Sequence, residues 1–109
     1  MLTNSQTAVL EKNTVLSGEF ATEPFEVAWA REARWFFQAL DGPPNATVTM
    51  RTQVSPDGLH WVDADDQDVT ASAPLVTWTS SDFGHWLRIR GTVSEGANVK
   101  VRVYLALKG

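Results

Sequence analysis

The side chains able to do chemistry in this chain are few: two histidines, a short run of aspartates, five tryptophans and no cysteine. His60 and His85 each stand beside a tryptophan in a strand or strand-entry context. No serine occupies a Gly-flanked nucleophile turn that could be matched with either of them. Hydrolysis by paired carboxyl groups would need two acids brought into one cleft, and nothing in the spacing of the acids argues for that. No catalytic constellation is legible, and the chain is expected not to be an enzyme.

The run Asp63-Ala64-Asp65-Asp66-Gln67-Asp68 is the one place where hard oxygen ligands concentrate. Asp63, Asp65, Asp66 and Asp68 could gather around Ca²⁺, because several carboxylates on one loop create the charge density that this cation needs. The spacing departs from an EF-hand, since Asp68 stands where glycine is required and Pro74 where the bidentate glutamate belongs. A solvated loop that keeps a hairpin soluble is the simpler reading. Calcium remains a side possibility, and no other cofactor is implied.

The tryptophans, Trp29, Trp35, Trp61, Trp78 and Trp86, open a second line. An exposed indole face can stack on a sugar ring, but in a small domain aromatic residues fill a core with a large buried area each. Most of them are expected inside. One or two at a rim would serve as anchors for a protein partner, where tryptophan is enriched among the dominant contacts. Trp61 and His60, next to the acidic run, are the candidate rim residues.

Length and charge set the outer bounds. A chain of 109 residues, 43% of them hydrophobic, is enough for one domain with its own core and too short for two. The formal charge is −4, and Arg31, Arg34, Arg51, Arg88, Arg90 and Arg102 are dispersed, so the dense positive footprint that nucleic acid demands is missing. The start lacks the charged and apolar regions of a signal peptide, and no stretch approaches the ~20 apolar residues of a membrane span. Folding in the cytoplasm of the producing cell is expected, which makes the Asn45-Ala46-Thr47 sequon incidental. Without Pro-rich or Ser/Gly-rich tethers at its ends, the chain reads as a free-standing gene product.

The elements read as strands. Val99, Val101, Val103, Leu105 and Leu107 alternate with Lys100, Arg102, Tyr104, Ala106 and Lys108, which gives a strand with one apolar side. Trp86 to Val93 has strand composition as well, and Ser94-Glu95-Gly96-Ala97-Asn98 between the two suggests an antiparallel hairpin. Val48 to Val54 runs into Pro56-Asp57-Gly58 and a second hairpin returning through Leu59 to Val62. Leu75 to Thr79 and Thr14 to Phe20 are further strands. Pro24 to Leu40 admits a helix on the spacing of Phe25, Trp29, Ala33, Phe36 and Leu40, yet its dense aromatics favour two strands broken near Arg31-Glu32-Ala33. Residues 1–13 are polar and weakly periodic. They are expected to form an extended arm preceding a sandwich over 14–109, either frayed or adding a strand to a neighbouring subunit through Leu2, Val9 and Leu10.

Val54-Ser55-Pro56-Asp57-Gly58-Leu59-His60-Trp61 resembles the hairpin of discoidin-like (coagulation factor 5/8 type C, galactose-binding-like) jelly rolls. Trp86-Leu87-Arg88-Ile89-Arg90 with Val99 to Leu107 resembles their closing strand pair. Discoidin domains proper are longer and bind through loops largely missing here, so no ligand residue carries over. The whole-chain pattern is more similar to small stand-alone sandwich proteins of tailed phages and prophages. Together these imply an all-β, jelly-roll-like antiparallel β-sandwich of about eight strands in a single domain. The resemblance implies a virion accessory protein, as head decoration or tail/neck component, that binds other virion proteins and copies of itself. A carbohydrate-binding module built on Trp61, His60 and the 63–68 loop is the alternative.

Overall fold

The computed structural model describes residues 4–64, 68–71 and 73–109. Its strands are β1 (Ser5–Leu16), β2 (Glu19–Ala21), β3 (Phe25–Glu26), β4 (Glu32–Asp41) and β5 (Val48–Ser55), followed by β6 (Val62–Asp63), β7 (Val69–Ala71), β8 (Leu75–Ser80), β9 (Trp86–Val93) and β10 (Val99–Lys108). Two antiparallel sheets face each other, one of four strands ordered β1-β10-β4-β8 and one of six built on β2-β9-β5-β6. Because β3 shares β9 with β2, and β7 shares β5 with β6, the ten segments fill eight strand positions. This is the expected all-β jelly-roll sandwich in one domain. The chain changes sheet at every turn between those positions except the one joining β5 to β6.

The inner faces follow the alternation in the sequence. Val99, Val101, Val103, Leu105 and Leu107 of β10 are all 4% exposed or less, and they meet Leu87, Ile89 and Val93 of β9 with Val48 and Met50 of β5. Each such side chain contributes roughly 1.5–3 kcal/mol by leaving water. Trp35 of β4 is fully buried and stacks on Trp78 of β8 with ring centroids 6.1 Å apart. Both indoles keep a partner: Trp35 Nε1 donates to Ser80 Oγ and Trp78 Nε1 to Thr52 Oγ1, each at 3.1 Å. A buried indole N–H without an acceptor would cost about 1–3 kcal/mol and offset much of what the ring gains by packing there.

Five expectations need correction. β9 and β10 do not pair, since β9 lies between β5 and the β2/β3 edge while β10 lies between β1 and β4. Residues 94–98 form an arch from one sheet to the other, with Gly96 at φ +78° and Ala97 N–H donating to Ser94 C=O at 3.1 Å. The turn residues fit an arch as well as a hairpin, and each strand has both hydrogen-bonding edges occupied elsewhere. Next, most of residues 1–13 are not an arm: Ser5–Leu16 is an edge strand of the chain's own sheet, paired from Ser5↔Lys108 to Leu16↔Val99. Two register shifts, around Val9/Glu11 and Lys12/Thr14, interrupt its ladder with β10, with Asn13 at φ +57°.

The stretch Thr14 to Phe20 is bent at Ser17-Gly18, where Gly18 takes φ +56° and the chain passes to the other sheet. The tryptophans are less buried than expected, because only Trp35 is fully enclosed while Trp61, Trp78 and Trp86 are half-buried and Trp29 is 38% exposed. Residues 24–40 are two strands, β3 and β4, separated at 27–31, so the break falls slightly before the expected one.

Gly91 of β9 allows the closest approach in the six-stranded sheet. A Cβ there would lie 2.5 Å from the Thr49 carbonyl oxygen and 2.8 Å from Phe20 Cζ. Gly91→Ala is expected to destabilise the domain by about 1–3 kcal/mol, as overpacking does. Urea unfolding at neutral pH checks this, and an unchanged midpoint would show that both β5 and β2 give way to the added methyl without cost.

Candidate recognition surface

The outer side of the β5–β9 pair is where the candidate residues come together. The register sets Arg51 opposite Arg90, Gln53 opposite Arg88 and Ser55 opposite Trp86, all outside the core. Gln53 nevertheless is only 4% exposed. The Arg88 guanidinium carbon sits 4.3 Å from the Trp61 ring centroid, a cation–π contact. Arg88 Nε donates to Gln53 Oε1 at 2.8 Å, and Gln53 Nε2 donates to Asp63 Oδ1 at 3.0 Å. Arg51 completes the chain by donating from Nη1 to Asp63 Oδ2 at 2.9 Å and from Nε to Asp68.

This network engages two of the four aspartates of the acidic run. Asp63 and Asp68 both turn onto Arg51, whose guanidinium takes the place a cation would occupy. Asp65 and Asp66 lie outside the described residues, and among the described ones no group of three potential ligands gathers. The hydrogen bond from Gln53, then that from Arg51, holds the Asp63 carboxyl below its ordinary range. Asp68 is lowered by its bond to Arg51, and Arg51 is raised by the two carboxylates, Asp68 first. Burial, followed by the neighbouring charge of Arg90, lowers Arg88.

Above the network the loop 56–61 is stiffened by its own short polar residues. Ser55 Oγ accepts from the Asp57 and Gly58 N–H groups at 3.2 and 2.8 Å, and Asp57 Oδ1 accepts from those of Leu59 and His60 at 2.9 Å each. His60 Nδ1 lies 2.6 Å from Asp57 Oδ2. Gly58 takes φ +80°, and a Cβ there would lie 3.2 Å from the Trp86 ring, so the loop rests directly on an indole. Local side-chain acceptors of this kind replace a ladder, and the returning strand therefore begins only at Val62 instead of Leu59.

What the loop displays is apolar. Leu59 is 79% exposed and Val62 60%, beside a His60 side chain that is 83% exposed. Sequence reasoning singled out Trp61 and His60 and missed Leu59, Val62, Gln53 and Arg88. Alternation placed Gln53 and Arg88 on an outer face, which by itself gives no reason to join them to Trp61. Of the arm candidates, Val9 is 49% exposed opposite Tyr104, Leu10 is buried at 9% and thus removed from any contact role, and Leu2 lies outside the described residues. His85 sits exposed in the β8–β9 connection, and no hydrogen bond joins it to His60 among the described residues.

No protein-family model and no curated sequence matches the chain. Solved structures do. The chain is similar to the PBSX exported protein XepA, with a TM-score of 0.69 and 12% identity over 94% of its length, and it spans 36% of XepA. It is similar to the SPBc2 prophage-derived protein YomS, with a TM-score of 0.65 and 10% identity, covering 100% of this chain and 96% of YomS. A CBM4 structure aligns at a TM-score of only 0.39, too loosely to argue from. At these identities the shared property is the fold.

The electrostatics of the loop give a pH signature. Hydrogen bonds from His60, then from Leu59, hold the Asp57 carboxyl well below its ordinary 3.8. A lowered carboxylate stabilises the fold above its unfolded value, and that contribution disappears as pH falls through the folded one. Asp57→Asn is therefore expected to melt below the parent at neutral pH, with the gap closing as acid is added beneath about pH 4. Thermal unfolding across that range checks it, and a gap independent of pH would contradict the assignment.

Proposed function

We propose that this chain is a non-catalytic structural or accessory protein of a phage particle, acting by protein–protein contact as a head decoration or a tail/neck component. The observation that carries the reading is the stiffened 56–61 loop, which spends its polar groups on its own backbone and presents Leu59, with Val62 beside it, to water. A rigid apolar tip with its hydrogen bonds satisfied loses little entropy on docking and gains by burial. The setting comes from the fold, which recurs in the prophage-derived YomS, a protein of nearly the same extent, and in the PBSX exported protein XepA. Synthesis in the host cytoplasm followed by residence on the virion fits that setting. Many copies on one particle would turn a weak contact into a lasting one.

A sugar site on Trp61 is the less favoured reading, because Arg88 already occupies one face of its ring. Sedimentation with tailed-phage heads, necks and tails tests the proposal. The parent is expected to co-sediment with one of them, and Leu59→Asp, at a position the core does not use, to weaken that binding at least tenfold. Saturable glycan binding by the isolated chain, quenching tryptophan emission, would overturn the assembly role in favour of a carbohydrate-binding one.

A further inference from the structure

The four-stranded sheet treats its two edges differently. At β1 the edge is bulged twice and carries Glu11 and Lys12, which are devices that discourage strand addition. At β8 there is neither. Leu75–Ser80 is regular in its register with β4, has no charged residue and no internal proline, and consists of Leu, Val, Thr, Trp, Thr and Ser. Strands of this composition at an open edge are templates for pairing.

The direction of its free backbone groups follows from one bond. Ala39 N–H donates to Pro74 C=O at 2.8 Å, in phase with the register Gln38↔Leu75 through Ala33↔Ser80. Hydrogen-bonded and non-bonded pairs alternate along an antiparallel ladder. Residues 74, 76, 78 and 80 therefore direct their backbone groups toward β4, while Leu75, Thr77 and Thr79 direct theirs outward. That outward set is symmetric about Thr77. We propose that β8 is a self-pairing edge, on which two copies of this chain join antiparallel about a two-fold axis at Thr77 and merge their four-stranded sheets into one.

In that arrangement Thr77 faces Thr77 and Leu75 faces Thr79, so each outward N–H meets an outward C=O. The side chains agree with the backbone. Val76 and Trp78 point inward yet remain half-exposed, whereas Trp35, Phe37 and Leu105 in the interior of the same sheet are fully buried. On the same axis Val76 of one copy falls opposite Trp78 of the other, covering what both leave open. Leu75, 54% exposed, gains the partner's Thr79 as neighbour. The side-chain register, Val76 against Trp78 on both sides of one axis, is what suits a second copy. The strand itself carries no charge, the guanidinium beside it being that of Arg34 on β4, which donates from Nη1 to Thr77 Oγ1 at 3.1 Å. Such a contact is smaller than the ~800 Å² per partner of a standard interface, so the dimer forms only at high concentration.

This deepens the assembly reading by naming one of its contacts, and it is measured without any particle present. The chain has no cysteine, so Thr77→Cys places a single thiol at the axis. Directly opposed residues of a hydrogen-bonded pair have Cα atoms ~5.5 Å apart, within reach of a disulfide. Thr77→Cys is expected to oxidise to a covalent dimer at least tenfold faster than Thr70→Cys on the other sheet. Sedimentation equilibrium of the parent is expected to show a reversible dimer that Thr79→Pro abolishes, since proline there removes an outward N–H that the fold does not use. Equal oxidation of the two thiols, or undiminished dimerisation of a folded Thr79→Pro, would overturn the edge. A monomer that still co-sediments with phage particles would discard this edge and leave the assembly role standing, and a dimer that ignores every particle would do the reverse.

Discussion

The structure depends on the central place of β10 in its sheet. Hydrogen-bonded on one side to β1 and on the other to β4, β10 supplies Val99, Val101, Val103, Leu105 and Leu107 to the inner layer. A strand with both edges satisfied and one side wholly apolar has a single low-energy placement, because a one-residue slip would turn five aliphatic side chains to water. Its neighbours inherit that register. β4 is fixed against it, and β8 is then fixed against β4 through the stacked pair Trp35 and Trp78.

The recognition surface is a second layer built on the opposite sheet. β5 and β9 spend their inner residues on the core, and their outer residues Arg51, Gln53 and Arg88 become the floor on which the 56–61 loop rests. Polar groups inside that floor meet partners within it: a guanidinium against two carboxylates, an amide between an arginine and an aspartate, an indole under an arginine. With these needs met internally, the loop keeps its shape without a ladder and offers aliphatic side chains outward. Stiffness, apolar display and distance from the core coincide there.

How far the sequence reveals this differs with the physics involved. Strand identity was legible wherever alternation was strict, as in β5 and β10, since a period of two has one structural meaning over that length. It was harder to read in β1, where Ala8, Leu10 and Leu16 keep an even spacing but two bulges fall between Val9 and Thr14 and the exposed Lys12 and Asn13 interrupt the apolar side. Pairing was harder than identity. The residues at 94–98 satisfy a hairpin and an arch equally, and only the demand of two sheets for a shared core decides between them. Of the site, Trp61 and His60 stood out by type, but the meeting of Trp61 with Arg88 spans a loop, a strand crossing and a sheet register, none of which a single-residue pattern encodes.

The position of β10 also bears on how the molecule is made. The ribosome delivers it after β1 and β4, between which it must lie. Until residues 99–108 emerge, the nascent polypeptide holds two partner strands with vacant flanks and an uncovered greasy layer. Closure of that layer is therefore a late, long-range event, of the kind that is slow and exposed to off-pathway association. The fold is completed only after residues 99–108 have left the exit tunnel.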